Sequence, residues 1–226
     1  MIPPLIVRRA QALGLDIIAV TDHNCAANVR AVIEAAQGAA LTVLPGMEVQ
    51  SREEVHLLCL FDSLEQIDAW EEIVSAALPA LRNNADLFGA QYVVDATGKH
   101  VYTDERLLST SISMPVQSIV NGVNALGGIC LPAHVDRPVY SILANLGFIP
   151  PGLPIAGVGL SSHLSPARAR ERFPQLAGYG IIVNSDAHRL DEMAAHTQVH
   201  VGAPTVSELR LALSSEQGRR VEIVDR

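Results

Sequence analysis

The chain has 226 residues, 49% of them apolar and only 4% aromatic, so its interior is expected to be built from Ala, Val, Ile and Leu, and disorder is excluded as a default. Its formal charge of −8 opposes an extended nucleic-acid surface, which needs clustered Lys and Arg, yet leaves a phosphate substrate open where carboxylates face divalent cations. There is no apolar run of about 18 residues and no secretory leader at Met1-Ile2-Pro3-Pro4; the expectation is one cytoplasmic α/β domain over 1–226, with no membrane partner.

In chain order, Leu5, Ile6, Arg9, Ala12 and Leu13 fall at helical spacing and Gly14 stops that helix; Asp16-Ile17-Ile18-Ala19-Val20 then reads as a buried strand. A second helix is expected over 27–37, strands over 41–44 and 55–61, and a long helix over 64–81. Residues 83–113 are less regular, with Gly89, Gly98 and alternation through 91–95, and read as a hairpin inserted over the main body. Downstream come a helix over 116–126, a strand over 128–132, a helix over 139–146 and a Pro-rich linker over 149–154. Strands over 155–160 and 179–183 flank a polar helix over 165–173, and a closing helix covers 205–213. Repeated strand and helix units imply a parallel sheet or barrel.

Cys25, Cys59 and Cys130 are odd in number and far apart, which indicates buried or idle thiols rather than a disulfide framework or zinc knuckle. Arg219-Arg220 reads as a solvated surface pair, and His100, His196 and His200 as surface residues. Other polar groups share one structural address. Thr21-Asp22-His23 follows the apolar run 17–20, Ser185-Asp186-Ala187-His188 follows 181–183, and His134 follows 128–132. Loops leaving strand carboxyl ends share one face in parallel α/β folds, so such groups converge.

Glu48 lies just after the strand ending at Leu44, and His56 starts the strand at 55–61. Imidazole and carboxylate together suit Zn, Mn or Fe, and a carboxylate such as Glu48 can bridge two ions. Taken singly, Thr21-Asp22-His23 also fits a capped turn and His56 a structural core histidine. A carboxylate between Met47 and Val49 is harder to dismiss, because burying it needs a cation or donor. Arg137 stands three residues after His134, placed to clamp a phosphate oxygen or else a plain surface arginine before Pro138. His163 follows the run 158–160 and could protonate a leaving oxygen, although Ser162 and Ser165 make the same stretch a helix-capping neighbourhood.

The segments Ala19-Val20-Thr21-Asp22-His23-Asn24, Gly46-Met47-Glu48-Val49 with Glu53-Glu54-Val55-His56, Pro132-Ala133-His134 and Ser185-Asp186-Ala187-His188 resemble the successive motifs of the polymerase and histidinol phosphatase (PHP) family. The resemblance implies a distorted (β/α)7 barrel, two or three divalent ions at its carboxyl face, and hydrolysis of a phosphate ester. Small phosphorylated metabolites, nucleotides and oligonucleotide ends are the substrates it suggests. Carried over by motif, His23, His188 and Asp186 would serve one ion, His56 and His134 another, and Glu48 would bridge, with Asp22 orienting a ligand from behind.

The family's opening His-x-His strand has no counterpart here, since no histidine precedes His23. The expectation is therefore a barrel missing its first strand, with two unpaired edges, weakened metal affinity and a tendency to form homo-oligomers. A noncatalytic PHP module is the competing reading. A metal-dependent amidohydrolase is a third, which the Thr-Asp-His and Glu-to-His spacing fits less well.

Overall fold

The computed structural model describes residues 1–224. Pro3 sits at the start of helix α1 (Pro3–Ala12), where a missing N–H costs nothing because first-turn donors have no intrahelical partner. Gly14, with φ +65°, turns the chain into strand β1 (Ile17–Val20). Helix α2 (Val29–Ala35) follows, and Val7 and Ala10 of α1 bury against Val32, Ala36 and Leu41 in a small satellite core.

Strand β2 (Thr42–Gln50) runs well past the expected end at Leu44. Close packing demands the glycine inside it. A Cβ at Gly46 would come within 2.8 Å of the Thr21 methyl and 2.9 Å of the Val20 carbonyl oxygen. Strand β3 (His56–Leu60) returns antiparallel to β2. The turn between them is held by the buried Ser51 Oγ, which accepts from the N–H groups of Glu53 and Val55. Helix α3 (Leu64–Ala77) opens on a capping box in which Ser63 and Gln66 satisfy each other's backbone donors. Its Ile67, Trp70 and Val74 are fully buried in the main core.

Helix α4 (Ala85–Phe88) precedes the antiparallel pair β4 (Gln91–Val94) and β5 (His100–Asp104). The segment leaving this hairpin is fastened to the site strands by Asn24 Nδ2, which donates to the carbonyls of Leu108 and Thr110 at 2.7 Å each. Gln50 Nε2 adds a bond to Ser111 Oγ. Then come α5 (Val116–Ala125), β6 (Ile129–Pro132), α6 (Ile142–Leu146), β7 (Val158–Leu160), α7 (Pro166–Arg172), β8 (Ile181–Val183), β9 (Thr197–His200), α8 (Val206–Leu213) and β10 (Arg220–Ile223).

The largest sheet has the order β1-β2-β3-β6. Only β1 and β2 pair in parallel; β3 is antiparallel to both neighbours. The expectation from sequence is a parallel sheet or barrel; this sheet is mixed. Residues 51–55 are too few for a crossover, so β3 can only turn back. The start of β3 therefore lies at the same end as the carboxyl ends of β2 and β6, which is why a histidine beginning a strand can join groups that end strands. β7 and β8 form a parallel pair, and β9 and β10 an antiparallel pair that periodicity did not reveal. Backbone bonds from Val135 N–H to the Gly159 carbonyl and from Ala156 N–H to the Cys130 carbonyl connect β6 to β7.

The strands are thus divided among four sheets of mixed α/β architecture. Among the described residues β1 and β8 each have one ladder partner. A cavity of about 530 Å³ lies against both, lined by Ile17, Val20, Leu58, Ile182 and Val183 and reaching His23 and His188. The three cysteines are buried free thiols.

Candidate metal centre

Glu48 is the hub. It lies in β2, where its backbone pairs with Leu58 of β3 on one side and with His23 on the other, and its side chain is only 6% exposed. Three imidazoles converge on this carboxylate. His56 Nδ1 is 3.2 Å from Oε1, His134 Nε2 is 3.5 Å from Oε1, and His23 Nδ1 is 3.7 Å from Oε2. The rings of His23 and His56 meet edge to face at 5.1 Å between centroids, and those of His56 and His134 at 5.3 Å.

Burial alone would raise the Glu48 carboxyl, but hydrogen bonds from His134 and His56, and attraction to His56 and His23 whenever those rings are protonated, outweigh it and hold the group well below the ordinary carboxylate range. His23 moves down from its ordinary value mainly because burial disfavours the imidazolium, with Glu48 opposing and His56 and His188 reinforcing the shift. An ionised carboxylate beside a neutral imidazole is the protonation state that metal coordination requires.

One donor atom each from His23, Glu48 and His56 lies within 4.8 Å of the other two, a spacing that one cation can span. The buried Nδ1 atoms of His23 and His134 have no hydrogen-bond partner among the described residues. Buried polar atoms are rarely left so without a ligand, and imidazole nitrogen with carboxylate oxygen is a donor set for a divalent transition metal. The residues present fit such an ion.

The outer candidates are arranged differently. The His188 ring stands 6.4 Å from that of His23, and its Nδ1 lies 2.9 Å from the Asp186 carbonyl oxygen. The Asp186 carboxylate is held by Arg137, Nη1 to Oδ2 at 2.7 Å. Arg137, read from sequence as a phosphate clamp or else a plain surface arginine, thus has a carboxylate partner here. Asp22 accepts a bond from Asn28 Nδ2 at 3.3 Å and faces the space beside His23. His163 is exposed beyond β7, its backbone N–H donating to Ser161 Oγ; its ring makes no hydrogen bond among the described residues.

Five loop residues at this end have left-handed backbone: Asn24 (φ 48°), Glu54 (φ 59°), His134 (φ 31°), Tyr140 (φ 56°) and Asp186 (φ 49°). Such conformations cost free energy outside glycine and cluster where a side chain must be aimed. Asn24 is 1% exposed, and its Oδ1 accepts from the Gln50 N–H while its Nδ2 holds the hairpin segment.

Sequence reasoning missed several supporting groups. Tyr140, also with positive φ, stacks flat on His56 with centroids 4.8 Å apart, and its carbonyl accepts from the His56 N–H. Asp136 accepts from both the N–H and the hydroxyl of Ser161, tying the loop after β6 to the end of β7. Tyr140 and Asp136 stand close to His134 and Arg137 in the chain, and that proximity was the one available signal. Nothing in the sequence marked Asn28 as the link between Asp22 and the hairpin.

Fold comparison relates the chain to solved structures. The lesion-specific endonuclease EndoQ from Pyrococcus furiosus superposes with a TM-score of 0.68 at 18% identity, over 98% of this chain and 53% of that one. An endonuclease Q complex with a 27-mer duplex bearing an abasic lesion at its active site gives 0.63 at 16% identity, over 97% and 53%. A protein from Bifidobacterium adolescentis, assigned as a metal-dependent phosphoesterase, gives 0.54 at 19% identity, over 90% and 84%. The chain spans about half the length of the two endonucleases. At these identities the likeness is one of fold. No curated protein matches the sequence. The family model for the PHP domain matches residues 3–145, well over half the chain and carrying His23, Glu48, His56 and His134. This chain belongs to the PHP domain family.

Proposed function

We propose that the chain is a metal-dependent phosphoesterase, with its divalent ions held by His23, Glu48, His56, His134, Asp186 and His188. In this reading the strands are a PHP-type (β/α)7 barrel, open between β1 and β8. The observation that carries it is the grouping of His23, Glu48 and His56 donors within 4.8 Å, together with the unpartnered buried Nδ1 of His23. Zn, Mn and Fe all suit the donors, and two or three ions would use the full set. Bound ions supply Lewis acidity toward a water and a phosphoryl oxygen.

The protein's own residues do the rest. Glu48, kept ionised by its imidazole neighbours, contributes the negative charge that binds cations. His23, kept neutral by burial, offers a lone pair. Arg137 is 39% exposed at its side chain and can turn its guanidinium to a phosphate oxygen when Asp186 takes a cation instead. Asp22 and Asn28 fix the loop that carries His23. His163 is left with the role of proton donor to a leaving oxygen that arrives from its exposed side.

The endonuclease Q complex makes a phosphodiester or a phosphorylated strand end a candidate substrate, beside small phosphorylated metabolites and nucleotides. The charge of −8 favours the smaller ones, because a long duplex would be repelled. To test the reading, the protein is stripped with EDTA, reloaded with Zn, Mn or Fe, and assayed for phosphate release from nucleotides, sugar phosphates and terminally phosphorylated oligonucleotides, and for strand cleavage of oligonucleotides. Metal-dependent release or cleavage is the expected result, restored by reloading.

Metal uptake with neither phosphate release nor strand cleavage would sink the enzymatic reading and leave the noncatalytic module. The Arg137–Asp186 ion pair is the observation on that side, since it occupies a carboxylate that catalysis would need.

A further inference from the structure

Beside the Glu48 cluster, on the side away from β8, lies a second cavity of about 830 Å³. Its inner wall is Asp22, His23 and Asn28; its outer wall is the inserted hairpin, with Phe88, Tyr92 and His100. Tyr92 and Phe88 are each 61% exposed, and the Tyr92 ring meets the His100 ring edge to face at 5.5 Å. Large aromatic side chains left in solvent beside a polar site carry a free-energy penalty that a flat ligand would remove.

The wall is fixed in place. Asn28 Nδ2 donates both to the Asp22 carboxylate and to the Tyr92 carbonyl, while Asn28 Oδ1 accepts from the Val94 N–H. One side chain therefore sets the distance between the hairpin and the loop of His23. On the body side Asn24 holds the segment that leaves the hairpin. The same region also exposes Leu87, Val101 and Tyr102 outside the recess, but the Phe88 and Tyr92 rings line a space continuous with two residues of the candidate metal centre.

From this continuity we infer that the cavity is a nucleobase subsite, with Tyr92 and Phe88 as the stacking platform for the ring of a phosphate ester whose phosphate sits at the Glu48 cluster. The phosphate half of this statement rests on the phosphoesterase reading; the stacking half does not. Aromatic stacking tolerates any base, because every base has a π-face. The base can belong to a mononucleotide or to the end of an oligonucleotide strand.

The test uses the whole chain. Adenosine, which has no phosphate, is titrated into EDTA-treated protein and followed by ligand-observed NMR, in parallel with a short single-stranded oligonucleotide. Tyr92→Ala is expected to weaken adenosine binding about tenfold, and Tyr92→Phe to restore it, since the ring is kept. Loss confined to the oligonucleotide also supports the subsite and identifies a strand end as its source.

In metal-loaded protein the KM for AMP should rise in Tyr92→Ala while that for ribose phosphate stays unchanged. If neither adenosine nor the oligonucleotide binds, or if both bind Tyr92→Ala as tightly as the parent, the subsite does not exist. Absence of phosphate release and of strand cleavage with ring binding intact would instead count against the phosphoesterase reading alone.

Discussion

A buried carboxylate surrounded by three imidazoles has two ways to exist: as an ion pair with protonated histidine, or as a ligand set. His23 Nδ1 at 3.7 Å from Glu48 and without any hydrogen bond argues for the second, because an imidazolium there would be drawn into contact. Glu48→Gln keeps the shape and removes the charge. Metal affinity should fall on the order of 100-fold or more, judged against the 10–100-fold typical of residues one shell further out, and chelator competition reads that loss directly. Unchanged affinity in a folded variant would remove Glu48 from the ligand set. The neighbouring Cys25 thiol belongs to the packing instead: burial pushes it up to about 12, so it remains protonated and unreactive.

The hairpin is the element whose stability most directly affects the site, since it forms one wall of the second cavity. Its closing residue Asp104 is 7% exposed and accepts from the backbone N–H, Nε and Nη2 of Arg106. Those bonds, chiefly the guanidinium's, lower the Asp104 carboxyl from its ordinary value of 3.8. A depressed folded value means the stabilisation is complete above that ordinary value and fades as pH falls through the folded one. Tyr92 and Tyr102 stand one in each strand of this pair, so near-ultraviolet circular dichroism of their rings should hold steady at neutral pH and change below about pH 4. Asp104→Asn should shift the signal at every pH, flatten its acid limb and cost about 1–2 kcal/mol, the partly exposed arginine keeping the figure modest. An acid limb identical in the variant would assign the transition to another group.

At the scale of the whole molecule, the parallel pair β7/β8 has to be held against the body from the side of β10 and α8. The contact that does so is backbone to backbone. A Cβ at Gly180 would overlap the carbonyl of Leu213, and one at Gly157 would come within 2.7 Å of the Gly180 oxygen. Gly180→Ala should therefore push α8 off the pair, at a cost of about 1–3 kcal/mol for overpacking. Urea unfolding followed through Trp70, which is fully buried in the main core, measures it; a midpoint equal to the parent's would mean that α8 adjusts freely. Because β8 carries the Ser185-Asp186-Ala187-His188 loop at its end, the same substitution should also loosen the outer ligands.

The sequence by itself determined the helices α1, α3, α5 and α8 within a few residues, because their apolar spacing and caps are local properties of the chain. It also placed His23, His134, Asp186 and His188 at strand ends and selected Glu48 as a carboxylate too costly to bury alone, again from local pattern. It ended β2 at Leu44, whereas the strand runs on to Gln50 through Gly46, where the neighbouring Val20 and Thr21 leave no room for a Cβ. Tertiary structure alone decided that β3 runs antiparallel, which turns His56 from a strand beginning into a neighbour of Glu48. The same holds for the pairing of Arg137 with Asp186 and for the hairpin's place across the mouth from His23. These depend on contacts between residues far apart in the chain, and no periodicity within a segment records its partner.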